Sequence, residues 1–448
     1  MGTKTPVNVN NVLDPTDAPG KHHLQDYEAA YKSFRWEDAH KEFDWSRTGK
    51  VNMAHEAIDK HLTRGRRNKL ALIYTDREYT ARLTFEDLSL QSNRFANVLR
   101  KLGVVKGDRV FVFLGRRPEL YIAILGILKI GAIPSPLFEA FMEDAVRDRM
   151  ANAEAVALVT SPALLDRVPQ WELPTLRHVL LVGAVPDGLP QGHYSFEALV
   201  EGAEDKTEIE WLTLDDPLII HYTSGSTGKP KGVLHVQRAM LGHLMTGRWV
   251  LDIQEDDVYW CTADPGWVTG TSYGIFAAWL NGATNLIRGG RFNASEWYGT
   301  IEKFRVNIWY SAPTAFRMLM AAGEEAAGPQ AERQRLGEAC RAHERVLEDV
   351  DRGGELAQFG HAERIRFAVE VEARHLHQLH LFGELRVRRA REHRDRVTER
   401  GELTREVTRV DTLAATTRVS PVNEVRDAQA AGPNWLWHDR LASPARLR

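Results

Sequence analysis

From about Val51 to Gly183, short runs rich in β-branched and aromatic residues alternate with longer apolar stretches of helical period. Val110 to Leu114 reads VFVFL, apolar at every position, the pattern of a strand buried on both faces. Pro118 to Lys129 follows as a helix, with proline in the first turn, where its missing N–H costs nothing. Ile133 to Leu137 reads as extended, Glu139 to Ala151 as helix, and Val156 to Thr160 and Val179 to Gly183 as strands. Strand–helix–strand alternation predicts an α/β fold of stacked, mostly parallel sheets covered by helices. Ahead of it, residues 24–45 are aromatic-rich and charged, a helical lead-in that wraps the core, so a boundary is placed after residue 49. A further strand, Leu218 to Tyr222, enters a segment of a different kind.

That segment is Thr223-Ser224-Gly225-Ser226-Thr227-Gly228-Lys229-Pro230-Lys231. Glycine and hydroxyl positions let the backbone approach an anion and offer many N–H and O–H donors, and Lys229 and Lys231 add positive charge to the same turn. This is the chemistry of a triphosphate cradle. It is not a Walker loop, whose lysine is followed by Ser or Thr, whereas Pro230 follows Lys229 here. The bland alternative, a soluble Ser/Gly turn, does not require this many ordered positions after a strand.

The segment resembles the signature loop of the adenylate-forming superfamily, in which it holds the β- and γ-phosphates of ATP while a carboxylate attacks the α-phosphate. A second block, Trp260-Cys261-Thr262-Ala263-Asp264-Pro265-Gly266-Trp267-Val268-Thr269-Gly270-Thr271-Ser272-Tyr273-Gly274, narrows the likeness. With Ala278 to Thr284 and Trp309 to Thr314, it is similar to AMP-forming acyl-CoA synthetases, closest to the short bacterial type of acetate–CoA ligase, over about residues 24–323. The resemblance implies the large N-terminal domain of that fold over residues 50–323, with ATP, CoA and Mg²⁺ used and acetate activated. It sets Trp267, Val268 and Thr269 against the acetate methyl and the pantetheine end of CoA, and Asn293 near the CoA nucleotide. A propionate–CoA ligase and a non-catalytic nucleotide-binding fragment remain open. On residue type alone, Trp267 and Val268 also suit ordinary core packing.

Two other patterns carry less. Gly270-Thr271-Ser272-Tyr273-Gly274 fits GxSxG, but Asp264-Pro265-Gly266 breaks the strand that a nucleophile elbow needs. His375, His377 and His380 have no partner ligands at metal-site spacing, so no metal site is predicted.

Composition changes near Gly323. Residues 1–323 hold 14 Lys, 22 Arg, all 11 Tyr and all 8 Met, whereas residues 324–448 hold 22 Arg and no Lys, Tyr or Met. In the resembled family, the region after residue 323 would supply the adenine and Mg²⁺ segment, the ribose-binding Asp and the catalytic Lys. No Thr-Glu-Thr-Gly-like run and no lysine stands there, so the family's catalytic Lys has no counterpart to name. The Arg-rich tail, 324–448, reads as unrelated to the family and poorly packed. An out-of-frame or wrong-strand translation of a GC-rich gene suits it better than a charged helical appendage with 22 acids against 22 Arg.

The formal net charge of −3 gives no basic footprint for nucleic acid. Cys261 and Cys340 are the only cysteines, too few and too far apart for a disulfide framework, which fits a reducing cytoplasm. Residues 1–21 lack the apolar run of a signal peptide, and Leu120 to Pro134, interrupted by Lys129, is too short to span a bilayer. Small-molecule substrates are expected, with no nucleic acid and no membrane as partner; the oligomeric state is not legible.

Overall fold

The computed structural model describes residues 22–224, 229–323 and 326, and the backbone of 366–367. Three short helices, Tyr27–Ser33, Trp36–His40 and Trp45–Thr48, form the lead-in, with Ala39 and Phe43 buried against the core. β1 (Leu70–Thr75) and β2 (Thr80–Thr84) pair antiparallel. Thr84 then starts the helix Phe85–Lys101 with a reciprocal cap, its hydroxyl accepting from the Asp87 N–H and its own N–H donating to the Asp87 carboxylate.

β3 (Arg109–Phe113), β4 (Ile133–Pro136), β5 (Ala157–Thr160), β6 (His178–Leu181) and β7 (His193–Ser195) form a parallel sheet in the order β4-β3-β5-β6-β7. The helix Pro118–Lys129 matches the sequence reading at both ends and is almost wholly buried. Lys129 survives there because its ammonium donates to Asp59 Oδ1 at 2.8 Å and Asn93 Oδ1 at 2.6 Å. No helix among the described residues is long and apolar enough to cross a membrane.

β8 (Pro217–Ser224) and β9 (Pro230–Val236) form a separate antiparallel hairpin. β10 (Val258–Cys261), β11 (Thr284–Arg288) and β12 (Ile308–Tyr310) then join β1 in a second sheet, in the order β12-β10-β11-β1-β2 with parallel pairing except at β2. Arg366–Phe367 adds a two-residue parallel strand beside β12. The stacked, mostly parallel architecture is the one predicted. Trp260, Trp279 and Trp309 fill the second sheet's core, and the Trp279 indole N–H donates to the Ala71 carbonyl at 2.8 Å.

Two expectations need correction. The helix read from Glu139 begins at Glu143 and runs to Asn152. Residues 138–141 instead close a turn through Phe141 N–H to Phe138 O, and their aromatic rings go to Trp267. The loop expected from Thr223 to Lys231 is also shorter. Thr223 pairs with Lys231, and Ser224 with Pro230, as the last rungs of the hairpin. Pairing extends this far because Tyr222 lies opposite Gly232, where an added Cβ would meet the Tyr222 ring at 3.2 Å. Residues 225–228, the tail after 326 apart from 366–367, and the three tail histidines lie outside the described residues.

Candidate active site

Parallel strands bring their carboxyl ends together, the place where open α/β sheets bind ligands. Here both sheets contribute. Arg116 follows β3, Phe138 and Glu139 follow β4, Thr262 to Asp264 follow β10, and Ser311 and Ala312 follow β12. These residues, with Trp267, Thr269 and Tyr310, line a cleft of about 480 Å³. Arg116 ties the sheets across it, donating from Nη1 to the Thr262 carbonyl at 3.0 Å and from Nη2 to the Gly290 carbonyl at 3.3 Å.

Asp264 lies at the start of the second block. Its Oδ1 accepts the Gly266 N–H at 2.8 Å, turning the chain toward Trp267. Burial pushes its carboxyl up to about 6, against the pull of the Gly266 N–H and Arg116, while Glu139 pushes the same way as burial. The chain can turn this tightly because Gly270 passes close to the Asp264 carbonyl. A Cβ on Gly270 would lie 1.9 Å from that oxygen.

Trp267 and Val268 are 48% and 38% exposed, which rules out the core-packing alternative. Trp267 stands beside Phe138 and Phe141, with ring centroids 5.9 and 6.4 Å away. Val268 opens the short helix Val268–Thr271, and Thr269 lines the cleft. Asn293 has a local task, because its Oδ1 accepts the Glu296 N–H at 3.0 Å and caps the helix Ala294–Phe304. It is not among the residues lining the cleft. Ser272 continues the Val268–Thr271 helix into a π-helical turn, with no strand leading into it, so the GxSxG match is fortuitous.

On the phosphate side, Thr223, Lys229 and Lys231 are exposed. Neither lysine has an ion pair among the described residues, so both charges are available to an anion. Of Ser224 only the backbone is described, and Gly225, Ser226, Thr227 and Gly228 lie outside the described residues. The hairpin below them is anchored on both sides. The Tyr222 hydroxyl lies 2.9 Å from both the Arg149 carbonyl and Asn152 Oδ1, and the Arg149 guanidinium stacks over Phe141, 4.2 Å from its centroid. On the other side, His221 Nε2 meets Thr271 Oγ1 at 2.7 Å. The cradle's strand and the helix that begins at Val268 are therefore directly bonded.

A family model described as AMP-binding enzyme matches residues 59–382, most of the chain. The chain belongs to this family. As a member of the AMP-binding enzymes, it is 55% identical over 309 residues to the acetyl-coenzyme A synthetase of Bacillus subtilis (strain 168), covering 69% of this chain and 54% of that protein. It is 38% identical over 301 residues to the acetyl-coenzyme A synthetase of Methanothrix thermoacetophila, covering 63% and 46%. The crystal structure of Brucella canis acyl-CoA synthetase superposes with a TM-score of 0.63 at 32% identity, over 67% of this chain and 54% of that one. The chain thus spans about half the length of the curated relatives it matches. The AMP-binding match runs past residue 323, where the composition changes.

Sequence reasoning passes over Arg116, Glu139, His221 and Arg149 as site residues, and gives Asp264 no role of its own beyond its place in the second block and in a strand breaker. Arg116 and Glu139 carry a signal that could have found them, since each follows the end of a predicted parallel strand.

Proposed function

We propose that this chain carries the phosphate-binding and acyl-binding half of an AMP-forming acetate–CoA ligase. In that reaction the acetate carboxylate attacks the α-phosphate of ATP, pyrophosphate leaves, and the CoA thiol then displaces AMP from acetyl-AMP. The observation that carries the reading is the His221–Thr271 hydrogen bond, because it joins the strand of the phosphate loop to the helix that begins at Val268. Lys229 and Lys231, with the donors from Thr223 to Gly228, serve the β- and γ-phosphates. Trp267, Val268 and Thr269 serve the acetyl group and the thiol end of CoA, and Asn293 the CoA nucleotide. Lining the cleft with Trp267 keeps water from one face of the acyl group, which strengthens the electrostatics there.

Mg²⁺ accompanies ATP in this chemistry. Among the described residues no group of three His, Cys, Asp or Glu side chains is arranged to hold a metal, so none is assigned to it. Cys261, a buried thiol outside any disulfide, agrees with the reducing cytoplasm in which ATP and CoA are found. Propionate is the second reading, because Trp267 and Val268, 48% and 38% exposed, do not by themselves separate the two acids.

The catalytic lysine expected of the family has no counterpart in residues 324–448, which contain no Lys. Transition-state charge stabilisation of that kind is worth orders of magnitude in rate. Acetate-dependent ATP–pyrophosphate exchange is therefore expected to be undetectable in the 448-residue chain. It should return when residues 324–448 are replaced by the corresponding second half of the Bacillus subtilis relative. Robust acetyl-CoA formation by the chain alone would overturn the expected impairment, and no exchange in the hybrid would overturn the ligase reading.

A further inference from the structure

Successive side chains of a strand point to opposite faces. On β8 this sends Tyr222 toward the helix Glu143–Asn152 and His221 toward Thr271, so two adjacent residues grip different parts of the molecule. The second grip has a defined proton arrangement. Thr271 Oγ1 lies 2.7 Å from His221 Nε2 and 3.0 Å from the Val268 carbonyl oxygen. A hydroxyl has one proton, and a carbonyl can only accept. Thr271 therefore donates to Val268 O, and His221 donates from Nε2 to Thr271. This leaves the lone pair on Nδ1, and His221 Nδ1 is a buried atom with no hydrogen-bond partner in the structure. The other tautomer would strand a buried N–H donor there and leave the Val268 carbonyl without the Thr271 proton, a costlier arrangement.

We propose that His221 is a positioning residue for the acyl pocket: its Nε2–H, relayed through the Thr271 hydroxyl, fixes the Val268 carbonyl and the turn that presents Trp267, Val268 and Thr269. The assignment of that turn to the acyl group rests on the ligase reading above; the relay itself does not. The surroundings keep the ring neutral. Burial, with His235 and His243 alongside, pulls the imidazole down to about 3. The His235 ring stands at right angles to His221, 5.4 Å away, so no carboxylate occupies that side.

Nitrogen-15 NMR on the intact chain tests the relay without any turnover. Expected at neutral pH is a neutral His221 with its proton on Nε2; a proton on Nδ1, or a charged ring, overturns the proposal. Hydrogen exchange supplies the second arm. His221→Leu should speed exchange of the amides of residues 268–272 about tenfold, the equivalent of one lost buried hydrogen bond. His221→Gln, which keeps an N–H donor near the same place, should restore the wild-type rates. Unchanged exchange in His221→Leu, or no rescue by His221→Gln, overturns it. In the hybrid enzyme, His221→Leu should shift the acetate-to-propionate ratio of kcat/KM severalfold while His221→Gln does not, and an unmoved ratio removes the acyl role. A hybrid without any carboxylate activation, but with the expected tautomer and exchange pattern, fails the ligase reading and supports the relay.

Discussion

Tyr222 and Lys231 sit one rung apart on the same hairpin and experience different surroundings. Tyr222 is 8% exposed, packed against Gly232 and bonded through its hydroxyl to the helix Glu143–Asn152. Lys231, paired with Thr223, is exposed and unpaired among the described residues. The base of the hairpin is held by burial and directed hydrogen bonds, and the tip presents charge. A phosphate cradle needs both, because donors preorganise an anion only if the strands beneath them are fixed. The acyl cleft divides the labour differently. Two of its charged groups, Arg116 and Asp264, are engaged with a carbonyl and an N–H group of the fold, and its exposed members are apolar.

The sharpest way to break this contrast is at the base. Tyr222→Ala removes a buried ring and the hydroxyl contact, and should cost about 3–5 kcal/mol in urea unfolding. A loss below about 1 kcal/mol would mean that the hairpin is not anchored there.

Acidification should act on the buried base next. His221 and His243 are both held near 3 by burial, below the ordinary imidazole value of 6.5. Below that value the unfolded chain binds protons that the folded chain does not, so stability falls as pH drops from 6.5 toward 3. Each histidine contributes a loss of roughly 1.4 kcal/mol per pH unit in that window. Asp264 works in the opposite sense. With its carboxyl raised from 3.8 to about 6, the folded state holds an extra proton in that range, and stability falls as pH rises through it. The melting temperature of the wild type should therefore fall between pH 6.5 and 5, and Asp264→Asn should make that fall steeper. A melting temperature that is flat or rises on acidification would contradict the buried-histidine account.

The smallest effect on stability is expected at the tip. Lys231→Ala should change unfolding free energy by less than about 0.5 kcal/mol. Its binding effect should be larger, weakening inorganic pyrophosphate roughly tenfold at low ionic strength, with the difference shrinking as salt is added. Calorimetric titration in low and high salt checks this, and equal affinities for mutant and wild type would detach Lys231 from the anion.

The parts legible in the sequence were those where one physical demand dominates. The helix Pro118–Lys129 is apolar from Leu120 to Leu128 and starts with proline, so both ends could be read. Val110 to Leu114 has no polar position to confuse the pattern. Misreadings arose where a residue serves the site instead of its element. Phe138, Phe141 and Met142 recur at helical spacing and suggest a helix from Glu139, but the two phenylalanine rings pack with Trp267 and the helix waits until Glu143. Pro230 and Lys231, the first two residues of β9, read as loop because a proline and a lysine beside a glycine-rich run look like turn residues, and their pairing depends on Tyr222 across the hairpin. His221 carried no local signal at all, since its partner Thr271 lies 50 residues away.

The opposed grips of His221 and Tyr222 also bear on which sequence lengths this family member tolerates. Adding one residue within β8 would rotate every later side chain to the other face, sending an imidazole toward Arg149 and a phenol toward Thr271. Lengthening the turn beyond Ser224 leaves both partners in place. Insertion scanning should thus find an abrupt boundary within a few residues, with the strand intolerant of any change in length and the turn permissive for folding.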